Sequence, residues 1–254
     1  MSAIALTLVE EAGLNALQTQ RQLFYDGWLL RVSPGQAKRA RSVNPYFGST
    51  LSVDTKIDHC ERVYGVHGLP ALFRMTPFIQ PPDLDRSLEA RGYVVFQPTY
   101  VQLVALDRPP EEAPPETGIE LAAPPIEAFV DEVAALRGSS AEQRAAHLER
   151  LASTPLATRA IVARQDGRTI GCGQVALDRG LAGIYDMVTD AAFRGRGAAS
   201  QIVTELLRWA WENGATHAYL QVDAENTPAL AVYRKFGFAT AYMYHYRARP
   251  DECR

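Results

Sequence analysis

Three landmarks in this chain recur at almost one spacing. Val43 and Thr189 both lie in strand-like runs and Gly68 and Gly214 both close helical runs, and each pair is 146 residues apart. Gly92-Tyr93 and Gly237-Phe238 repeat the pattern at a spacing of 145. Self-similarity at a fixed period is the mark of one structural unit used twice. The chain is therefore expected to fold as two related halves rather than as one irregular domain.

Between the halves stands "DRPPEEAPPETG", an acidic, proline-rich stretch without apolar periodicity. It reads as a linker, which divides the chain into domains at residues 1–107 and 118–254 with a linker at 108–117. After it, "GIELAAP" is a short strand, and "PIEAFVDEVAALRG" and "SSAEQRAAHLERLAS" have helical spacing. The stretch from Thr158 to Asp190 holds three apolar runs broken at Asp166-Gly167 and at Asp178-Arg179-Gly180, an antiparallel meander. "GAASQIVTELLRWAWENG" carries Ile202, Val203, Leu206, Leu207, Ala210 and Trp211 on one helical face and stops at Gly214. The strand "HAYLQVD", the helix "TPALAVYRKFG" and the strand "FATAYMYHYRAR" complete the order βααβββαβαβ. The first half repeats the later part of it, from "RQLFYDG" to "YVVFQPTYVQLVAL". The expected fold class is α/β (α+β), each domain a mixed, mostly antiparallel sheet flanked by helices.

The formal net charge is −3, so no overall basic field recommends nucleic acid as a partner. The start "MSAIALTLVEEAG" has acids where a signal peptide carries cations, and no apolar run reaches the length of a membrane span. Cys60, Cys172 and Cys253 form neither a disulfide framework nor a metal-ligand spacing. These features lead one to expect a cytoplasmic protein with no metal and no membrane partner, either a monomer or a homodimer.

Against that mildly acidic background, "FRGRGAAS" at 193–200 places two arginines and two glycines just ahead of a long amphipathic helix. The first-turn N–H groups of a helix have no intrahelical partner and its dipole is positive there, so the position favours an anion. Glycines admit close approach to the backbone, and arginines add charge-assisted contacts. A phosphate or pyrophosphate fits best. A P-loop needs a lysine that is missing, and a Rossmann fingerprint needs a third glycine and a preceding βαβ unit. In the first half the equivalent stretch is "FGSTLSV", without either arginine.

Arg194-Gly195-Arg196-Gly197-Ala198-Ala199 is followed by Asn226-x-x-Ala229-x-x-x-Tyr233-x-x-x-Gly237-Phe238. Together with the element order over roughly 118–248, these residues resemble the GNAT (GCN5-related N-acetyltransferase) superfamily. The first half resembles the degenerate repeat of tandem members. The resemblance implies acetyl-CoA as acyl donor, its pyrophosphate cradled by the amides from Arg194 to Ala199. It implies that the backbone at Met187, Val188 and Thr189 pairs with the pantetheine arm and that Asn226 bonds the pantetheine or adenylate side. Tyr233 would protonate the departing thiolate. Leu88 stands at the equivalent first-half position. Ala191 replaces a proline usual in the family, which only shapes a turn.

Acetyl transfer to an ammonium group also needs a base. Asp186 sits mid-strand, where an uncompensated carboxylate is costly, and is the candidate. A solvated or salt-bridged carboxylate is the alternative. Gln221 stands where some family members place a glutamate, and His245 and Glu225 are weaker candidates. Arg39, Arg41 and Arg74 are expected on strands of the first half, where they could hold a carboxylate-bearing substrate at the seam between halves. The leading expectation is an N-acetyltransferase acting on a small-molecule amine, such as an amino acid or an amine-bearing metabolite or antibiotic. The alternatives are a protein N-terminal or lysine acetyltransferase and a non-catalytic acyl-CoA sensor.

Overall fold

The computed structural model describes residues 4–111 and 118–253 of the chain. Residues 112–117 of the expected linker lie outside the described residues. The fold is α/β, a mixed sheet with helices, and the elements follow the sequence reading closely. In the first part they are α1 (Leu6–Asn15), β1 (Gln22–Tyr25), β2 (Trp28–Arg31), β3 (Val43–Pro45), α2 (Val53–Val66), β4 (Phe73–Met75), α3 (Leu84–Ala90) and β5 (Val94–Ala105). Then come β6 (Glu120–Ala122), α4 (Ile126–Arg137), α5 (Ala141–Ala152), β7 (Ala157–Gln165), β8 (Arg168–Asp178), β9 (Leu181–Thr189), α6 (Ala198–Glu212), β10 (His217–Asp223), α7 (Thr227–Lys235) and β11 (Ala239–Ala248). Helix α1 is an addition to the sequence reading. Its short apolar face, with Val9 and Ala12 buried, lacks a side-chain N-cap to announce it.

Two compact units divide the chain, and they do not follow the linker. One combines the residues up to Ala16 with Val101–Val222 and Asn226–Ala241; the other combines Leu17–Tyr100 with Asp223–Glu225 and the residues from Tyr242 onward. The expected boundary, 1–107 against 118–254, is thus crossed in both directions. In the second-named unit the strands run β1-β2-β3-β4-β11, with β11 antiparallel to β4 through His245↔Met75 and Arg247↔Phe73. In the other they run β5-β10-β9-β8-β7-β6, and Leu106 N–H continues the contact with β10 by donating to Thr216 O at 2.8 Å. The last strand of each sequence half therefore divides between the units: Val101–Ala105 of β5 and Tyr242–Ala248 of β11 each belong to the unit built mainly from the other half. The two candidate closing strands have the same length class and alternation, so periodicity alone does not choose between them.

Each unit has its own core. Trp28, Leu30, Val43, Ile57, Tyr64, Phe73 and Leu88 form one, under α2 and α3. In the other unit Phe129, Val130 and Val133 of α4 and Leu151 of α5 pack on Val162 and Cys172 of β7 and β8. Helix α6 buries Ile202, Val203, Leu206, Leu207 and Ala210, the face that its sequence spacing defines.

Candidate active site

Strands β9 and β10 are parallel neighbours only from Leu181↔His217 to Ile184↔Leu220. Beyond Ile184, β9 continues to Thr189 paired on one side alone, with β8. Between the pairs Gln174↔Tyr185 and Cys172↔Val188, β9 holds two residues, Asp186 and Met187, against the single Gly173 of β8. Asp186 takes a left-handed φ of 52° to make this bulge. A bulge bends its strand and re-aims a side chain. Gly173 is required: a Cβ there would lie 2.4 Å from Met187 Sδ and 2.7 Å from Ile202 Cγ2. Met187, Val188 and Thr189 thus present a backbone edge without a β10 partner, suited to an extended ligand.

The strand leads through a single 3₁₀ turn, Ala191–Phe193, into the arginine–glycine loop. Gly195 and Gly197 take left-handed φ values of 76° and 83°, which side chains with a Cβ adopt at a cost. Gly197 is the N-cap of α6, and no side chain caps the helix, so its first-turn N–H groups keep their donor capacity. A Cβ on Gly195 would meet nothing within 4 Å, so the loop backbone faces open space. A cavity of about 1050 Å³ opens there, lined by Gly195, Gly197, Ser200, Gln201, Thr204 and Gly237 among others. Arg194 and Arg196 are exposed, with the Arg196 guanidinium 5.0 Å from the Phe193 ring centre. Ala198 is buried and Ala199 half-buried in the first turn. Free amides and a helix N-terminus meet at this opening, which Arg108, Lys235, Asp107 and Glu111 also line, while Arg194 and Arg196 flank the two glycines in sequence; the uncapped helix end supplies the chemistry of an anion site.

Asn226 caps α7, its Oδ1 accepting from Ala229 N at 3.2 Å, which leaves the amide NH₂ for another partner. Tyr233, two turns further on, is buried and packs edge-on against Phe238 at 6.0 Å. Burial pushes its phenol up to about 12, so the hydroxyl keeps its proton at neutral pH and is available as a donor.

Asp186 is placed differently from a free base. Its side chain is 9% exposed, and both oxygens are engaged. Oδ1 accepts from Arg137 Nη1 at 3.0 Å; Oδ2 meets His147 Nε2 at 2.9 Å, Arg150 Nη2 at 3.3 Å and Gln174 Nε2 at 2.6 Å. Burial raises the carboxyl's proton affinity, but His147, Arg150 and Arg137 together outweigh it and hold Asp186 well below the usual carboxylate range. A carboxylate held this way is a poor proton acceptor. The sequence reading missed this ring, although a mid-strand carboxylate signals that partners must exist, and His147 and Arg150 share one face of α5.

In the other unit, Arg39 and Arg41 are not on a strand. Arg39 lies in a 3₁₀ turn (Lys38–Ala40) and Arg41 directly follows it, because β3 is confined to three residues. Arg74 is on β4 as expected, buried, with its guanidinium 4.0 Å from the ring centre of Tyr244. The three arginines do converge: Arg74 and Arg39 act electrostatically on the buried Tyr246, and Tyr246 acts on Arg41. His245 Nε2 lies 2.9 Å from Asp85 Oδ1, which also forms an ion pair with Arg247, and Glu225 is exposed. Among the described residues, no group of three or more His, Cys, Asp or Glu gathers to hold a metal, and no helix is long and apolar enough to cross a membrane.

Residues 127–238 match the model of the acetyltransferase (GNAT) family, the segment that contains the loop, the open strand edge and Tyr233. An uncharacterized N-acetyltransferase of Bacillus subtilis, YobR, is 28% identical over 225 residues, spanning 87% of this chain and 90% of that protein. Among solved structures, a GCN5-related N-acetyltransferase from Kribbella flavida superposes with a TM-score of 0.72 at 15% identity, over 98% of this chain and 97% of that one. A tandem GNAT protein from the clavulanic acid biosynthesis pathway superposes with a TM-score of 0.59 at 18% identity, over 77% of this chain and 68% of that one. Residues 127–238 are thus similar to the GNAT acetyltransferases, and the enzyme class these matches support is that of the N-acetyltransferases.

Proposed function

We propose that this enzyme transfers the acetyl group of acetyl-CoA to the amine of a small molecule, and that the unit containing β9 and α6 carries the reaction. The observation that carries the reading is the meeting of an uncapped helix N-terminus with a one-sided strand end. Amides from Arg194 to Ala199, with Gly195 and Gly197 admitting close approach, hold the pyrophosphate. The free edge of Met187, Val188 and Thr189 pairs with the pantetheine amides and aims the thioester. A strand N–H there polarises the thioester carbonyl as its oxygen gains charge. The amide NH₂ of Asn226 bonds the pantetheine side, and Tyr233 protonates the sulfur as the carbon–sulfur bond breaks.

Asp186 serves as a positioning group that gathers Arg137, Arg150, His147 and Gln174 at the bulge. The other unit is a degenerate GNAT-like repeat, and the chain a tandem protein acting in the cytoplasm. The test is a screen of amino acids, polyamines and aminoglycosides against acetyl-CoA, read by thiol release and product mass. A small acetylated amine is the expected result. Acetylation of peptides alone moves the assignment to a protein acetyltransferase, and tight acetyl-CoA binding without turnover on any acceptor moves it to a sensor.

A further inference from the structure

We propose that His147 takes the proton from the incoming amine, with Asp186 as the group that orients it; this rests on the acetyl-transfer reading above. His147 Nε2 lies 2.9 Å from Asp186 Oδ2, and that carboxylate remains ionised among its cations, so the contact places the imidazole proton on Nε2. The lone pair is then on Nδ1, which makes no hydrogen bond among the described residues. An acid that fixes one imidazole nitrogen so that the other accepts a proton is the logic of a hydrolase triad.

The surroundings favour this assignment over Asp186 itself. The Asp186 oxygens receive four donors, three of them on Oδ2, whereas His147 has one nitrogen uncommitted among the described residues. Asp186 lies within the stretch of β9 that lacks a β10 partner, directly before Met187, so the imidazole 2.9 Å from its carboxylate is one side chain away from the strand edge assigned to the thioester. The ring is further fixed edge-on against Phe129, with centroids 6.4 Å apart. Its side chain is 13% exposed, which leaves it reachable from solvent.

Between ammonium and amide the acceptor nitrogen sheds two protons. His147 takes the first and passes it to solvent. The nitrogen then bonds the carbonyl carbon, the carbon–sulfur bond breaks, and the sulfur receives a proton from Tyr233. The second nitrogen proton leaves through solvent and restores Tyr233, so one proton is released per turnover.

Bromoacetyl-CoA tests the placement without knowledge of the acceptor, because its bromomethyl carbon alkylates a nucleophile within reach of the acetyl position. The full chain is treated with the reagent and the adduct located by mass spectrometry, with the other four histidines and Cys172 as internal references. The expected result is one adduct, on His147, suppressed by excess CoA and absent from His147→Gln. In that variant CoA affinity is unchanged, and thiol release from acetyl-CoA to water falls by about 10²-fold or more. An adduct on another residue, no adduct despite CoA binding, or undiminished thiol release in His147→Gln overturns the assignment and leaves the acetyl-transfer reading standing. Failure of the wild-type chain to bind CoA overturns both.

Discussion

The loop at 193–199 and its counterpart at 47–53 each precede a long helix, and both follow a sheet whose first hairpin turns on Asp-Gly. In the unit with α2, Asp26 of that turn reaches back to the loop. Its carboxylate accepts from Leu51 N at 2.9 Å, from Thr50 N at 3.0 Å and from Thr50 Oγ1 at 2.8 Å. Ser52 then caps α2 through Thr55 N. In the other unit the matching turn residue, Asp166, is exposed and reaches no loop amide, and Gly197 leaves α6 uncapped. Thr50 and Leu51 correspond to Arg196 and Gly197 at the 146-residue spacing. One loop thus closes on a carboxylate of its own chain, while the other keeps the same amides open. The lesson is that equivalent backbone positions offer amides in both units: in one they bind Asp26, and in the other they are left for the proposed pyrophosphate.

The largest effect expected from perturbing the open unit is on turnover. Tyr233→Phe keeps the ring that packs on Phe238 and removes only the hydroxyl, so kcat and kcat/KM fall together by ~10²–10⁴-fold with acetyl-CoA affinity preserved. Steady-state kinetics beside calorimetry checks this, and near wild-type kcat would assign thiolate protonation to water or another group.

Next in size is the ring around Asp186, which the closed unit lacks. Asp186→Ala leaves the buried Arg150 without its carboxylate, and a broken buried ion pair costs roughly 3–5 kcal/mol, with the lower end expected because Arg137 is partly exposed. Urea unfolding measures it. The folded-state carboxyl lies below its ordinary value of 3.8. Its stabilisation is therefore complete above that value and is lost as pH falls through the lower folded-state value. A stability loss confined to pH above 7 would contradict the arrangement.

A smaller effect is expected at the open loop itself. Gly197→Glu would combine charge repulsion with the strain of a left-handed φ, so Arg196→Glu is the cleaner change. Replacing an attractive cation by a carboxylate near the pyrophosphate should weaken acetyl-CoA by at least about tenfold, or ~1.4 kcal/mol, and less at high salt. Equal affinity at low salt would remove Arg196 from the site.

The smallest effect sharpens the comparison most directly. Wild-type chain should bind one CoA, and Asp26→Ala should add a second, weak site for inorganic pyrophosphate by freeing the amides of Thr50 and Leu51. Calorimetry showing one site in both proteins would mean that the α2 loop does not accept an external anion. In the wild type, those two amides, Leu51 before Thr50, lower the Asp26 carboxyl to about 2, and carbon-detected NMR titration reads that value directly.

Much of this was legible in the residues alone. Helix faces such as that of α6, the turns at Asp166-Gly167 and Asp178-Arg179-Gly180, and the left-handed glycines ahead of α6 all rest on local chemistry. Apolar spacing, left-handed glycines and unpartnered helix amides act over a few residues, so their pattern survives in the sequence. Of Arg39, Arg41 and Arg74, only Arg74 lies on a strand as the sequence predicts, because β3 is confined to Val43–Pro45 and a 3₁₀ turn precedes it. What the tertiary structure decided are the long-range choices. It divided β5 and β11 between the two units, at Val101 and Tyr242, a choice that the residues of either strand do not record. It surrounded Asp186 with groups from α4, α5 and β8, and pulled Asp26 across 24 residues onto Thr50. Which distant charge meets a buried or backbone-bound carboxylate depends on how helices pack on the sheet, and no local period records that.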